Sequence, residues 1–129
     1  MNETASFALA FRLTPDVIHK VVPAGRPGTY RLHRHEAVIY LGRSDTDLRR
    51  RLLEHAISRR GDHFTRQIHI SAHTAWTDEC SQWHDLPRLA ENLVHPARPD
   101  SSNDRCAFCP DTLRLVAHDR DAHRNFLEF

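Results

Sequence analysis

A hairpin of two short strands constrains the fold of this chain more than any other feature of its sequence. The runs "GTYRLH" (28–33) and "AVIYLG" (37–42) are rich in aromatic and β-branched residues, which favour strands. Only "RHE" separates the two runs, and a connection this short is typical of a hairpin turn. We therefore expect the two strands to pair in the antiparallel direction.

A capped helix is expected directly after the hairpin. The segment "SDTD" (44–47) offers several N-capping residues, and Gly61 is the expected end of the helix. Arg51 and His55 fall one turn apart on a side of the helix that is not apolar, whereas Arg49 falls within the apolar side and must extend outwards. The apolar side is formed by Leu48, Leu52, Leu53, Ala56 and Ile57.

Three further segments carry helix or strand signals. The segment "TPDVIHKVV" (14–22) begins with Thr14 as an N-cap and a proline at the first helical position. The segment "HFTRQIHISAH" (63–73) is a strand candidate, and "TAWTDECSQWHDL" (74–86) is a helix candidate that the next proline ends. Together the elements predict an α+β fold with a small three-stranded antiparallel sheet flanked by helices.

The chain divides into three parts along its length. We expect an N-terminal lead-in with a short helix (1–26), a core (27–99) and a C-terminal segment packed on that core (100–129). The 129 residues suffice for one hydrophobic core, and the composition, 40% hydrophobic and 27% charged, is that of a soluble domain. No apolar run approaches the ~18–20 residues of a membrane span, and the first residues do not resemble a secretory signal. We therefore expect a cytoplasmic protein without membrane association.

Arginines are concentrated between residues 43 and 66. The net charge of the whole chain is only +1, so this local excess says more about partners than the total does. The planar guanidinium fork suits phosphate because it can donate two parallel hydrogen bonds. An arginine-preferring composition is the alternative explanation, since Lys20 is the only lysine.

The pair Cys106 and Cys109 has the spacing of half a zinc site. The missing ligands would be two of Cys80, His84, His95, His118 and His123. We favour His84 and His95, which lie in one helix-plus-loop pattern, and expect a closed structural Zn²⁺ site that staples the C-terminal segment to the core. A free thiol pair without metal stays open as the alternative.

The stretch 27–56 resembles the GIY-YIG nuclease superfamily. Its two signature triplets correspond here to Gly28-Thr29-Tyr30 and Tyr40-Leu41-Gly42, one on each strand of the hairpin. In the superfamily the next helix carries an arginine before a leucine, and many members place a histidine one turn later; these match Arg51 and His55. The resemblance implies that the core is a metal-dependent endonuclease whose substrate is DNA.

The resemblance also implies roles for individual residues. One Mg²⁺ or Mn²⁺ ion would be held by a glutamate on the later helix, for which we favour Glu79, with Asn92 beyond it. Glu91 followed by Asn103 is the alternative pair.

Arg51 would bind a phosphate oxygen and Tyr30 would act as the general base. The pKa of tyrosine, ordinarily ~10, would have to be lowered by Arg51 and the metal ion. Tyr40 and His55 would orient the water or Tyr30, or His55 would itself accept the proton.

Two other functions stay open at this point. The chain could be a catalytically weak or inactive nucleic-acid-binding module, or a zinc-stapled interaction subunit of a larger assembly. Nothing in the sequence looks like a separate DNA-reading domain. Specificity is therefore expected either to be low or to come from a protein partner.

Overall fold

The computed structural model of the protein describes residues 10–87, 89, 91–100 and 102–109. Within these residues the fold is α+β, as predicted, with a four-stranded antiparallel sheet and three helices. The strands are β1 (Phe11–Arg12), β2 (Gly28–Arg34), β3 (Ala37–Ser44) and β4 (His63–Ile68). The helices are α1 (Pro15–Val21), α2 (Leu48–Ser58) and α3 (Ala72–Asp85). No helix in the described part of the chain is long and apolar enough to cross a membrane.

The sheet has the order β1-β4-β2-β3, so it contains one strand more than predicted. The additional strand is β1, which pairs Phe11 with Phe64 and Arg12 with His63. Its two residues are too few to show an alternating pattern, and only the pairing with β4 makes them a strand.

The hairpin between β2 and β3 turns through two residues, His35 and Glu36, with φ angles of 52° and 72°. Positive φ at both positions matches the twist of the flanking strands, although glycine or asparagine is the usual choice there. The carboxylate of Asp62 accepts a hydrogen bond of 3.0 Å from the His35 backbone N–H, which helps to hold this turn. A bulge follows Leu32, which pairs with Tyr40.

Helices cover the two faces of the sheet. Tyr30 and Leu32 of β2 belong to the main core, which α1 and α2 cover. Thr29 and Arg31, the alternating residues of the same strand, contact Asp78 and Gln82 of α3. Since successive side chains of a strand point to opposite faces, α3 packs on the face opposite to α1 and α2.

Helix α1 is part of the core although it belongs to the predicted lead-in. Its N-cap is Thr14, as predicted, and Ile18 and Val22 are fully buried. The guanidinium of Arg49 donates to the backbone carbonyls of Val22 (2.7 Å) and His19 (3.1 Å). Arg49 therefore extends out of the apolar side of α2, as expected, and satisfies carbonyl groups at the C-terminal end of α1.

Helix α2 ends earlier than predicted. The helix stops at Ser58 because Arg59 adopts a left-handed conformation with φ of 55°, so Gly61 does not end it. Leu48 and Leu52 are buried as expected, whereas Ile57 is 80% exposed. His55 is buried, contrary to its expected place away from the apolar side.

Replacement of Gly42 by alanine should destabilise the fold because the Tyr30 ring occupies the space of a Cβ. An added Cβ would overlap the Tyr30 Cζ and hydroxyl oxygen and would lie 2.8 Å from Cε1. We expect Gly42→Ala to lower the free energy of unfolding by about 1–3 kcal/mol in urea titrations. In a Tyr30→Leu background the cost of Gly42→Ala should shrink, since the clash is gone. An equal cost in both backgrounds would contradict this explanation.

Candidate active site and metal centre

Tyr30, Tyr40 and His55 form a compact group that we call the tyrosine–histidine cluster. Tyr30 comes from the middle of β2, Tyr40 from β3 and His55 from the last turn of α2. The Tyr30 hydroxyl lies 2.7 Å from His55 Nε2, and the three ring centroids lie 5.3 to 6.0 Å apart. The structure thus brings together three of the residues that the sequence proposed for one site.

Glycines in both signature triplets are explained by close packing. A Cβ on Gly28 would overlap the Gln67 backbone oxygen and would lie 2.7 Å from Leu48 Cδ2. Gly42 lies against the Tyr30 ring. The two glycines therefore allow β2 to approach β4 and α2, and allow Tyr30 to lie across β3.

Burial keeps both members of the Tyr30–His55 pair neutral at neutral pH. Burial, followed by the charges of Arg51 and Arg60, lowers the pKa of His55 to about 4. Burial and then Tyr40 raise the pKa of Tyr30 above its ordinary range, and the opposing effect of Arg51 is smaller. With Nδ1 carrying the proton of the neutral His55 ring, Nε2 can accept the hydrogen bond of the Tyr30 hydroxyl. The expected lowering of the tyrosine pKa is not achieved by Arg51 alone.

Two arginines flank the tyrosine–histidine cluster. The Arg51 side chain is 40% exposed and donates to Glu54 at 2.9 Å, so its head is accessible from solvent. Arg60 places its guanidinium carbon 4.3 Å from the centre of the Tyr40 ring. Sequence reasoning did not propose Arg60 for the site, because it placed this residue inside a helix expected to reach Gly61, whereas the helix ends at Ser58.

Glu79 lies on the sheet face covered by α3, away from the face that carries the tyrosine–histidine cluster. Its carboxylate accepts a hydrogen bond of 2.9 Å from Arg43, which also donates to Asp45 at 2.6 Å. Burial raises the pKa of Glu79 to about 7, against the lowering effect of Arg43. Glu79 is therefore a buried carboxyl group whose present partner is a cation.

Asn92 fastens the loop after α3 to the edge strand β3. Its Oδ1 accepts from the Leu41 backbone N–H at 2.7 Å, and its Nδ2 donates to the Leu41 carbonyl at 2.8 Å. The Asn92 carbonyl in turn accepts from the Trp83 indole N–H at 2.8 Å. These contacts give Asn92 a positioning role. Glu91, the alternative to Glu79 as the metal-binding glutamate, pairs with Arg60.

A polar network joins α3 to the sheet, and sequence reasoning did not find it. The Asp78 carboxylate accepts from the Thr29 hydroxyl at 2.6 Å and from the Gln82 amide at 3.0 Å. His69 Nε2 lies 3.0 Å from the same carboxylate, and Arg31 donates to Gln82 at 2.6 Å. Thr29 is fully buried, so its hydroxyl depends on this partner.

The four zinc ligands favoured from the sequence converge in the structure. The donor atoms of His84, His95, Cys106 and Cys109 all lie within 4.8 Å of one another. His84 Nε2 is 3.7 Å from both sulfurs, and His95 Nε2 is 3.3 Å from Cys109 Sγ. Tetrahedral zinc with bonds of ~2.3 Å to sulfur and ~2.0 Å to nitrogen places N and S roughly 3.5 Å apart. This group could therefore hold a metal ion such as zinc.

Surrounding hydrogen bonds orient these ligands. His95 Nδ1 lies 2.8 Å from the Pro96 carbonyl, so a proton on Nδ1 leaves the Nε2 lone pair facing Cys109. The Phe108 backbone N–H donates to Cys106 Sγ at 3.3 Å. Cys80 is not among the four converging donors, and burial followed by a hydrogen bond with Cys106 raises the pKa of its thiol. His118 and His123 lie outside the described residues.

Comparisons of this chain with protein-family models, with curated proteins and with solved structures found no match.

Loss of one sulfur ligand should remove the metal and destabilise the protein. Protein purified without added metal should contain one Zn²⁺ per chain, and Cys106→Ser should contain almost none. Because metal binding contributes to folding, Cys106→Ser should also lower stability by more than the ~0.5 kcal/mol of a surface change. Elemental analysis and melting curves measure both effects.

Cys80→Ala is the matched control, because Cys80 is buried beside the centre without belonging to it. This variant should keep its zinc whatever it loses in stability. Wild-type protein with almost no zinc, together with an unchanged melting curve for Cys106→Ser, would contradict the metal centre.

His55 should make the fold sensitive to acid. Its pKa is about 4 in the folded protein, against an ordinary value of ~6.5 in the unfolded chain, so the unfolded chain binds the proton more readily. This contribution to stability is present above about pH 6.5 and is lost as the pH falls towards 4. Urea titrations at about pH 7 and about pH 5 should therefore show a smaller loss for His55→Gln than for wild type. Equal losses would show that His55 does not titrate as described.

Proposed function

We propose that the protein is a metal-dependent endonuclease that hydrolyses DNA phosphodiester bonds through a GIY-YIG-type site. The observation that carries the proposal is the buried hydrogen bond between Tyr30 and His55, flanked by Arg51. These residues stand at the positions that the superfamily resemblance implies. Thr29 stands where the signature has isoleucine. Its hydrogen bond to Asp78 explains why a hydroxyl side chain suits this position.

The proposed chemistry uses the tyrosine–histidine cluster as a proton acceptor. Tyr30 takes the proton of the attacking water and passes its own hydroxyl proton to His55 Nε2, which is neutral at neutral pH. A bound phosphodiester brings a negative charge close to His55 and raises its pKa, which makes it a better base. Arg51 binds a non-bridging oxygen of the phosphate and stabilises the charge that develops there.

Glu79 is the residue proposed to hold Mg²⁺ or Mn²⁺. The carboxylates of Glu79 and Asp45 both point at the Arg43 guanidinium, so this place already attracts a cation, and oxygen ligands suit these metals. A divalent ion bound there would supply charge neutralisation for the leaving oxygen. This role requires Glu79 to approach the phosphate held beside the tyrosine–histidine cluster, because Glu79 lies on the other sheet face. Glu79 would hold the ion in place of its present hydrogen bond with Arg43.

A nucleic-acid-binding module that has lost cleavage is the second candidate. The observation that favours it is the placement of Glu79 on the α3 face, paired with Arg43, while the tyrosine–histidine cluster lies on the α2 face. A module of this kind would bind DNA through its arginines with no need for metal.

Cleavage of plasmid DNA in Mg²⁺, with a chelator as the negative control, separates the two candidates. We expect Arg51→Ala and Tyr30→Phe each to reduce cutting by ~10²–10³ while both variants stay folded, with a lower melting temperature for Tyr30→Phe because His55 loses its buried partner. Arg50→Ala is the matched control, because Arg50 is a neighbouring exposed arginine that pairs with the same Glu54. Cutting by Arg51→Ala and Tyr30→Phe at the wild-type rate would refute the mechanism.

A comparison of two glutamate variants tests which carboxylate holds the metal ion. Glu79→Gln should remove cutting, whereas Glu91→Gln should retain it, because Glu91 pairs with Arg60 at the surface. The reverse result would transfer the metal role to Glu91 with Asn103. DNA binding by wild type without any cutting would favour the binding module.

A further inference from the structure

Arg60 lies between an aromatic ring of the proposed active site and a carboxylate. Its guanidinium carbon is 4.3 Å from the centre of the Tyr40 ring. Its Nε donates to Glu91 Oε1 at 3.0 Å, and its Nη2 donates to the same oxygen. The guanidinium thus lies over the ring, while its Nε and Nη2 donate to the carboxylate.

The ion pair between Arg60 and Glu91 contributes little to the framework of the fold. The Arg60 side chain is 34% exposed and that of Glu91 is 47% exposed. Ion pairs with this exposure are weak, because water screens them and both side chains lose freedom. Both residues lie in connecting segments, Arg60 just after α2 and Glu91 in the loop after α3.

The chemistry of the pair matches that of a phosphate contact. A guanidinium stacked on an aromatic ring has a fixed plane, and its edge can donate two hydrogen bonds to one anion. Carboxylate and phosphate both accept from that edge. Glu91 therefore occupies the place where a phosphate oxygen would bind.

The location of Arg60 connects this place to the proposed site. Tyr40, on which Arg60 stacks, has its ring centroid 6.0 Å from that of Tyr30 and 5.8 Å from that of His55. Besides burial, Arg51 and Arg60 are the two positive charges that lower the pKa of His55. The two arginines therefore flank the same cluster.

We propose that Arg60 is a second phosphate-binding residue for the DNA backbone, and that Glu91 occupies its edge until a phosphate displaces it. The inference rests on the proposed function, since it takes DNA as the ligand. DNA then exchanges one anion for another at Arg60, and the stack on Tyr40 holds the guanidinium in place throughout. Glu91 acts as an internal competitor of the DNA backbone.

A double-mutant cycle tests this competition. The probe is a short fluorescein-labelled DNA duplex, and its binding is followed by anisotropy in the presence of a chelator, so that no cutting occurs. The variants are Arg60→Ala, Glu91→Gln and the double variant, with Arg60→Lys as a variant that keeps the charge but loses the planar fork. Asp16→Asn, made in the wild-type protein and in Arg60→Ala, controls for net charge. Asp16 suits this purpose because it is an exposed acid in the first turn of α1.

Glu91→Gln should bind the duplex roughly two- to fivefold more tightly, the fold-change that corresponds to a part-exposed ion pair. Arg60→Ala should bind more weakly, and the slope of log affinity against log salt should become shallower by about 0.9, as expected for one lost phosphate contact. Arg60→Lys should bind the duplex with an affinity between those of wild type and Arg60→Ala. In the Arg60→Ala background, Glu91→Gln should have no more effect than the net-charge control Asp16→Asn, which should act equally in both backgrounds.

Two results would overturn the proposal: an equal gain from Glu91→Gln with and without Arg60, or wild-type affinity and salt slope in Arg60→Ala. In either case, cutting of plasmid by the wild-type protein would leave the proposed function intact. A wild-type protein that neither binds the duplex nor cuts plasmid would refute the proposed function, and the role of Arg60 with it.

Discussion

The hydrogen bond between Tyr30 and His55 is the contact on which the candidate site depends. It joins the central part of the sheet to α2, where both side chains are buried. A buried hydroxyl without a partner would cost about 1–3 kcal/mol, and a buried charged histidine would cost more. Burial therefore favours the state in which Tyr30 keeps its proton and His55 stays neutral. Gly42 is part of the same arrangement, because its missing side chain makes room for the Tyr30 ring.

Local signals predicted most of the fold, and contacts between distant segments account for what they did not predict. The cap at Thr14 and the hairpin formed by β2 and β3 follow from short-range chemistry, and both are present. Strand β1 exists only through its pairing with β4, so its two residues carry no pattern of their own. The left-handed Arg59 ends α2 without a glycine, which no propensity rule would indicate.

The same distinction applies to the candidate site. Tyr30 and Tyr40 meet because cross-strand register brings their side chains to one face, and this could be anticipated from the hairpin. Glu79 could not be placed, because its face depends on which side of the sheet α3 packs. The candidate metal site was predictable, since the spacing of Cys106 and Cys109 indicated it, but the preference for the two histidines over Cys80 depends on which donor atoms the fold brings together.

Strand β3 contributes residues both to the tyrosine–histidine cluster and to the ion pair of Glu79. Tyr40 carries its side chain into the tyrosine–histidine cluster, whereas Arg43, three residues later, pairs with Glu79 on the other face. Between them, Asn92 occupies both backbone groups of Leu41, so a further strand cannot pair at that residue. The loop that carries Asn92 also carries His95 of the metal centre, and the Trp83 indole beside His84 donates to the Asn92 carbonyl. The group that could hold a metal ion therefore lies next to the contact that covers the edge strand.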